Sequence, residues 1–165
     1  METLVQFGFP LTTLILGMSG ALISSKAIPT WYQNLKKPKL NPPNWIFGPV
    51  WTLLYLMIGY SAYLIWNKHK QFSLDHKYAW FVYIIQLVLN YSWTPVFFGL
   101  KKLYYALIII IGLAASICLN SYLFYNIEPL AGILFIPYFA WVSFATYLNY
   151  SIWFLNSNVA SKKEN

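Results

Sequence analysis

The sequence predicts an all-α protein, an integral membrane bundle of five transmembrane helices. Of its 165 residues, 59% are hydrophobic and only 9% are charged, whereas a soluble domain carries about 25% charged residues. Five uncharged runs are each long enough to cross a hydrocarbon core of about 30 Å. Backbone groups in lipid must satisfy their own hydrogen bonds, so these runs are predicted to be helices.

The predicted helices follow one another in a single domain, residues 1–165, and cover residues 4–25, 46–67, 78–100, 103–126 and 130–154. The first run is interpreted as a helix rather than a cleaved signal peptide, because it lacks a basic leading region and a typical small-residue cleavage site. The loop at residues 26–45 is rich in Lys, Pro and aromatic residues. Its prolines restrict the backbone and favour a shaped lid over a flexible one.

The lysines predict the orientation of the bundle in the membrane. All 11 basic residues are Lys, and eight of them lie in the loop at 26–45, the connection at 101–102 and the C-terminal tail. The other three, Lys68, Lys70 and Lys77, lie on the opposite side. The positive-inside rule therefore places the loop at 26–45 and the C-terminus in the cytoplasm. We interpret the net charge of +7 as a topology signal, and we expect no nucleic-acid partner.

The sequence lacks the residues that several functional classes of protein require. The four acidic residues all lie outside the predicted helices, so the paired carboxylates of hydrolases and the intramembrane acids of ion-coupled pumps are missing. Cys118 is the only cysteine and has no companion for a disulfide or a metal site. We therefore expect no metal site and no ordinary hydrolytic chemistry.

The third predicted helix carries polar and aromatic residues on one face. Gln86, Asn90, Trp93 and Phe97 recur at i, i+4, i+7 and i+11, which aligns two amides and two rings. Amides in a hydrocarbon layer must turn toward the protein interior. They either line a pocket or join helices through hydrogen bonds worth about 0.6 to 2 kcal/mol each. The pattern alone does not separate these two roles.

The second and fifth predicted helices repeat this combination of large rings and small residues. Trp51 and Tyr55 share a face of the second helix, and Trp141, Ala145 and Asn149 share a face of the fifth. Because successive helices alternate in direction, most of these residues fall in the half of the bilayer next to the loop at 26–45. That common depth predicts a pocket there. The small-xxx-small spacings in the first and fourth helices indicate close helix packing, within one chain or in a homodimer.

Ordered motifs along the chain resemble those of a known family. They are WYxxLxKP at 31–38, PPxW at 42–45, GPVW at 48–51, LY at 54–55, MxGY at 57–60, QLxLNxxWxPxFFG at 86–99, PYxxW at 137–141 and FATxLNY at 144–150. Together they identify the chain as similar to the translocator protein family, the TspO or peripheral benzodiazepine receptor group of tryptophan-rich membrane proteins.

The resemblance implies a five-helix bundle, often dimeric, that binds porphyrins and haem-related tetrapyrroles and, in some members, sterols. By motif, the ligand-lining positions would be Tyr32, Trp51, Asn90, Trp93, Trp141 and Ala145. The sterol motif of the family requires a basic residue shortly after its Tyr, but the first Lys after Tyr150 is Lys162. This departure argues against sterol binding of that type. With the Lys-only composition, it favours a bacterial plasma membrane.

We therefore expect a protein that binds protoporphyrin IX or a haem-like ligand and acts in transport or sensing. Trp51, Trp93 and Trp141 would stack on the ligand, with Tyr32 and Tyr55 nearby. Asn90 and Asn149 would orient its polar edge, and Lys37 or Lys39 would pair with its carboxylates. One alternative, implied by the resemblance, is an enzyme that degrades protoporphyrin in light, with Trp51 and Trp141 as electron donors. Another is a structural or regulatory membrane partner whose aromatic residues only pack the bundle.

Overall fold

The computed structural model describes residues 2–69 and 76–161, and within these ranges the chain forms helices and turns without any strand. Long stretches of apolar residues form the helices, because a hydrocarbon layer leaves the backbone no other hydrogen-bond partners. The helices are α1 (Glu2–Ser19), α2 (Ala21–Ala27), α3 (Phe47–His69), α4 (Lys77–Thr94), α5 (Leu103–Ile127), α6 (Pro129–Ile133) and α7 (Phe135–Ser161).

Within residues 2–69 and 76–161, five stretches are long and apolar enough to cross a membrane, and they confirm the predicted architecture. They cover Gln6–Ala27, Asn44–Lys68, Lys77–Gly99, Leu103–Ile127 and Pro129–Ser157. Three lysines that contribute to the predicted orientation, Lys70, Lys162 and Lys163, lie outside the described residues.

Three of the predicted helices are interrupted or change geometry along their length. The first divides at Gly20, which faces Thr94 so closely that an added Cβ would lie 3.1 Å from its Cγ2. The fifth divides at Leu134, because Pro137 has no N–H to donate to the Ile133 carbonyl. The third ends in a π-helix at Pro95–Gly99, where the Leu100 N–H donates to the Pro95 carbonyl over 2.8 Å.

The helices pack in a closed ring. Helix α1 contacts α3, and α3 contacts α6 and α7. Helix α5 contacts α4, α6 and α7. Helix α2 completes the ring by packing against the π-helix. The central core contains fully buried aliphatic residues such as Ile58 of α3, Ile110 of α5 and Val142 of α7. Gly59 permits the close approach of α1 to α3, because an added Cβ would lie only 2.5 Å from the Pro10 Cα. Leu and Ile side chains on the outer faces remain exposed for lipid.

The loop that joins α2 to α3 is folded against the bundle. It contains two 3₁₀ turns, Tyr32–Asn34 and Asn44–Ile46. Tyr32 is buried and its ring lies 5.5 Å from that of Phe98. The Asn156 side chain of α7 accepts from the Lys36 N–H over 3.1 Å and donates to the Lys36 carbonyl over 3.0 Å. These contacts hold the loop over one end of the bundle.

Candidate functional site

A cavity of about 180 Å³ lies between the broken first helix, the loop, and helices α3, α4 and α7. Small and apolar side chains form most of its lining, and none of the described lining residues is charged. The lining comprises Gly17, Met18, Gly20, Ala21, Ser24, Ile28, Tyr32, Asn44, Phe47, Gly48, Trp51, Thr52, Tyr55, Trp93, Thr94, Phe97, Phe98, Ala145, Leu148, Asn149 and Ile152. Met18, Ala21 and Gly48 are exposed and mark the mouth of the cavity.

Two pairs of stacked aromatic rings contribute to this lining. On α3, the Trp51 and Tyr55 rings are stacked with centroids 5.5 Å apart and an interplanar angle of 27°. The Trp93 ring of α4 is stacked on Phe97 of the π-helix, with centroids 4.9 Å apart and an angle of 30°. The π-helix contributes two rings to the cavity lining, those of Phe97 and Phe98. Six predicted site residues line the cavity, namely Tyr32, Trp51, Tyr55, Trp93, Ala145 and Asn149.

Asn90 lies behind the cavity, not on its surface. Its Oδ1 accepts from the hydroxyl of Tyr55 over 3.1 Å, and its Nδ2 donates to the hydroxyl of Tyr138. Tyr138 in turn donates to Gln86 Oε1 over 3.2 Å. Both polar atoms of the Asn90 amide are therefore used within the bundle. Of the two roles that the helix pattern left open, the contacts of Gln86 and Asn90 match hydrogen bonding between helices.

Asn149 lines the cavity, and both polar atoms of its amide have partners in the protein. Its Oδ1 accepts from the indole Nε1 of Trp93 over 3.0 Å, and its Nδ2 donates to the Leu103 carbonyl over 3.0 Å. An amide oxygen has two lone pairs and an amide nitrogen has two N–H groups, so one bond on each does not saturate the group, but the two bonds fix the orientation of the amide.

Trp141 is placed outside the cavity lining, behind Phe47. The two rings meet edge to face with centroids 5.7 Å apart, and Phe47 is the residue that faces the cavity. The indole Nε1 of Trp141 is buried and has no hydrogen-bond partner among the described residues. Sequence spacing puts Trp141 on the same helix face as Ala145 and Asn149, but the beginning of α3 covers it.

The two predicted carboxylate-pairing lysines lie on the loop, outside the lining. Lys37 Nζ lies 4.6 Å from the centroid of the Tyr32 ring and donates to the Gln33 carbonyl over 3.2 Å, whereas Lys39 is exposed. Partial burial lowers the pKa of Lys37 from its ordinary value. The Tyr32 hydroxyl donates to Asn41 Oδ1 over 3.0 Å, and burial raises the pKa of Tyr32, so this hydroxyl stays neutral.

Residues of the broken first helix complete the cavity, although the sequence pattern indicated only a structural role for this helix. Gly17, Gly20, Ala21 and Ser24 recur at i, i+3, i+4 and i+7, and all four line the cavity. A face of small residues at helical spacing, next to an aromatic-rich loop, is the signal that could have identified them. Phe47, the first residue of α3, carried no comparable signal.

The five apolar, membrane-length stretches of the described residues define an integral membrane protein, and four of them line the aromatic cavity. The sequence profile of the TspO/MBR family matches residues 9–154. The chain is 38% identical over 123 residues to the translocator protein of Homo sapiens, covering 74% of this chain and 73% of the relative. It is 37% identical over 147 residues to the tryptophan-rich protein TspO of Archaeoglobus fulgidus, covering 89% and 94%. With the tryptophan-rich sensory protein of Cereibacter sphaeroides it shares 35% identity over 155 residues, covering 94% and 89%. The chain belongs to the TspO/MBR family.

Proposed function

We propose that this membrane protein binds flat hydrophobic ligands of the tetrapyrrole class, such as protoporphyrin IX, in the aromatic cavity and acts in their transport or sensing. The observation that carries the proposal is the pair of ring stacks, Trp51 on Tyr55 and Trp93 on Phe97, which line one uncharged cavity. Aromatic faces attract planar conjugated ligands, and apolar linings with few polar groups are typical of small-molecule sites.

The charges of such a ligand would lie outside the ring stacks. None of the described lining residues is a cation, and Lys37 lies on the loop with its Nζ 4.6 Å from the ring centroid of Tyr32, which is a lining residue. A porphyrin would therefore insert its apolar edge and keep its carboxylates toward the loop, where Lys37 or the exposed Lys39 can pair with them. This arrangement avoids the cost of burying a carboxylate in an apolar site.

A titration of the purified protein with protoporphyrin IX in darkness tests the proposal, with porphyrin absorbance as the readout. Trp51→Ala removes one stacked ring and should weaken binding by at least about tenfold. Trp45→Ala is the matched control, since Trp45 is 73% exposed and does not line the cavity. Saturable binding that is weakened in Trp51→Ala but not in Trp45→Ala supports the cavity as the binding site. The absence of saturable binding refutes the proposal and favours a structural or regulatory role.

A second candidate function is light-dependent degradation of the bound porphyrin. The position of Trp51 in the lining favours it, because an indole in contact with an excited porphyrin can act as an electron donor. Trp141 is the weaker candidate donor, because Phe47 lies between it and the cavity. Illumination of the complex should then give a new absorbing product in the wild type but not in Trp51→Phe. A porphyrin spectrum that is unchanged after illumination excludes this activity.

We also propose that the loop at 26–45 faces the cytoplasm of a bacterial cell. The lysine asymmetry supports this orientation, as do exposed Lys101 and Lys102 at the same end of the bundle as the loop. Lys101 Nζ lies 5.9 Å from the Trp31 ring centroid, which shows the proximity of the two connections. A cysteine placed at exposed Gln33, in a Cys118→Ser background, should resist a membrane-impermeant thiol reagent in intact cells. Labelling by the reagent from outside the cell would show that the loop faces outward and would contradict the proposed orientation.

A further inference from the structure

Asn149 occupies a buried position where three helices of the bundle meet near the cavity. It belongs to α7, it is 1% exposed, and it contacts Trp93 near the end of α4 and Leu103 at the beginning of α5. Its acceptor oxygen and its donor nitrogen each have a protein partner at 3.0 Å. A buried amide with both ends paired fixes its own orientation and that of its partners.

Trp93 is held from two directions. One face of its ring is stacked on Phe97 at 4.9 Å, and Phe98 meets it edge to face at 6.0 Å. Stacking alone restricts the tilt of an indole but does not decide which edge points into the protein. The hydrogen bond from Nε1 to Asn149 makes that choice, because an indole N–H left unpaired inside a membrane protein carries a free-energy penalty.

We propose that Asn149 is a positioning residue that holds the Trp93 indole as a preformed stacking surface for a flat ligand, and that Asn149 does not itself bind the ligand. The inference rests on the proposed function for the identity of the ligand. Holding the ring in its binding orientation before the ligand arrives reduces the conformational entropy lost on binding. The role differs from that of a ligand-orienting amide, whose hydrogen bonds go to the ligand and not to the neighbouring helices.

A double-mutant cycle with protoporphyrin IX separates the two roles. Asn149→Leu removes the amide at similar size, and Trp93→Phe keeps an aromatic face but removes the indole N–H. Each single variant should weaken binding by roughly fivefold or more, as expected for one lost hydrogen bond. The double variant should be no weaker than Trp93→Phe alone. Asn120→Leu is the control for the loss of a buried amide, since Asn120 is buried outside the lining.

The free protein gives an independent readout. In protein labelled with ¹⁵N-tryptophan, the indole N–H signal of Trp93 is the one that disappears in Trp93→Phe. This signal should shift in Asn149→Leu and stay in place in Asn120→Leu. If Asn149→Leu does not accumulate in the membrane, the smaller Asn149→Ala replaces it in both measurements.

Two results would overturn the inference. The first is a double variant whose loss of affinity equals the product of the losses in the two single variants. The second is a Trp93 indole signal that does not shift in Asn149→Leu. The first would mean that Asn149 contacts the ligand directly. A wild-type protein that does not bind the porphyrin overturns the proposed function, and the ligand part of the inference falls with it. The indole shift still decides whether Asn149 orients Trp93, so the two failures are distinguishable.

Discussion

Replacement of Gly17 by alanine should deform the cavity by displacing Tyr55. A Cβ at Gly17 would lie 2.3 Å from Tyr55 Cε2, whereas ordinary contacts begin at 3.4 Å, so the ring has to move by about 1 Å. The ring is not free to move, because it is stacked on Trp51 and its hydroxyl donates to Asn90. Overpacking of this kind costs about 1 to 3 kcal/mol. We expect the melting temperature to fall by about 2 to 12 °C, in proportion to that cost.

The matched control is Gly112→Ala, where an added Cβ would find only Leu89 Cδ1 at an ordinary 3.7 Å. Alanine is favoured over glycine inside a helix by roughly 0.5 to 1 kcal/mol, so this variant should be as stable as the wild type or slightly more stable. Thermal unfolding of all three proteins in the same detergent gives the comparison, and titration with protoporphyrin IX shows whether the displaced ring also weakens binding. Equal stability and equal affinity of Gly17→Ala and Gly112→Ala would refute the close packing at Tyr55.

Three further variants test other parts of the structure. Gly48→Leu should lower ligand affinity without lowering the melting temperature, because an added Cβ at the mouth meets no atom within 4 Å; a stability loss would contradict this. Tyr138→Phe removes the hydroxyl that Asn90 and Gln86 share as a hydrogen-bond partner, and it should lower the free energy of unfolding by about 1 to 3 kcal/mol. An unchanged melting temperature would contradict a stabilising role for these hydrogen bonds. Asn156→Ala removes two hydrogen bonds to the loop backbone and should speed amide hydrogen exchange in the loop but not in α5; unchanged exchange would show that these bonds do not hold the loop.

The number and order of the membrane-spanning helices could be predicted from the sequence, because lipid imposes one requirement on every uncharged run of sufficient length. The interruptions at Gly20 and before Pro137 could not be placed in the same way. Pro10 lies within α1 without dividing it, so a helix-breaking residue alone does not locate a break. The outcome depends on what each segment packs against, such as Thr94 at Gly20, and hydropathy contains no such information.

The candidate site was partly predictable for a related reason. Helix periodicity shows that a polar side chain faces inward, but it does not show what that side chain meets. Asn90 and Asn149 both face inward, and both accept hydrogen bonds from tyrosine or tryptophan side chains of neighbouring helices. Trp141 shares a face with Ala145, but Phe47 from another helix covers it. Contacts between helices are long-range in sequence, and a single chain read alone does not reveal them.

The pairing of these amides inside the bundle has a consequence for ligand recognition. If the described cavity recognises a ligand through ring stacking and shape, the carboxylates contribute only through the loop, where Lys39 is exposed and Lys37 is partly exposed. Ion pairs at such positions are worth about 0.2 to 1 kcal/mol each, so two pairs, one for each carboxylate, correspond to no more than about a thirtyfold change in affinity. Protoporphyrin IX and its dimethyl ester should therefore bind within about thirtyfold of each other in darkness, and added salt should reduce the difference in affinity. A free acid that binds more than about thirtyfold tighter than the ester would show that charge, and not the aromatic lining, dominates recognition.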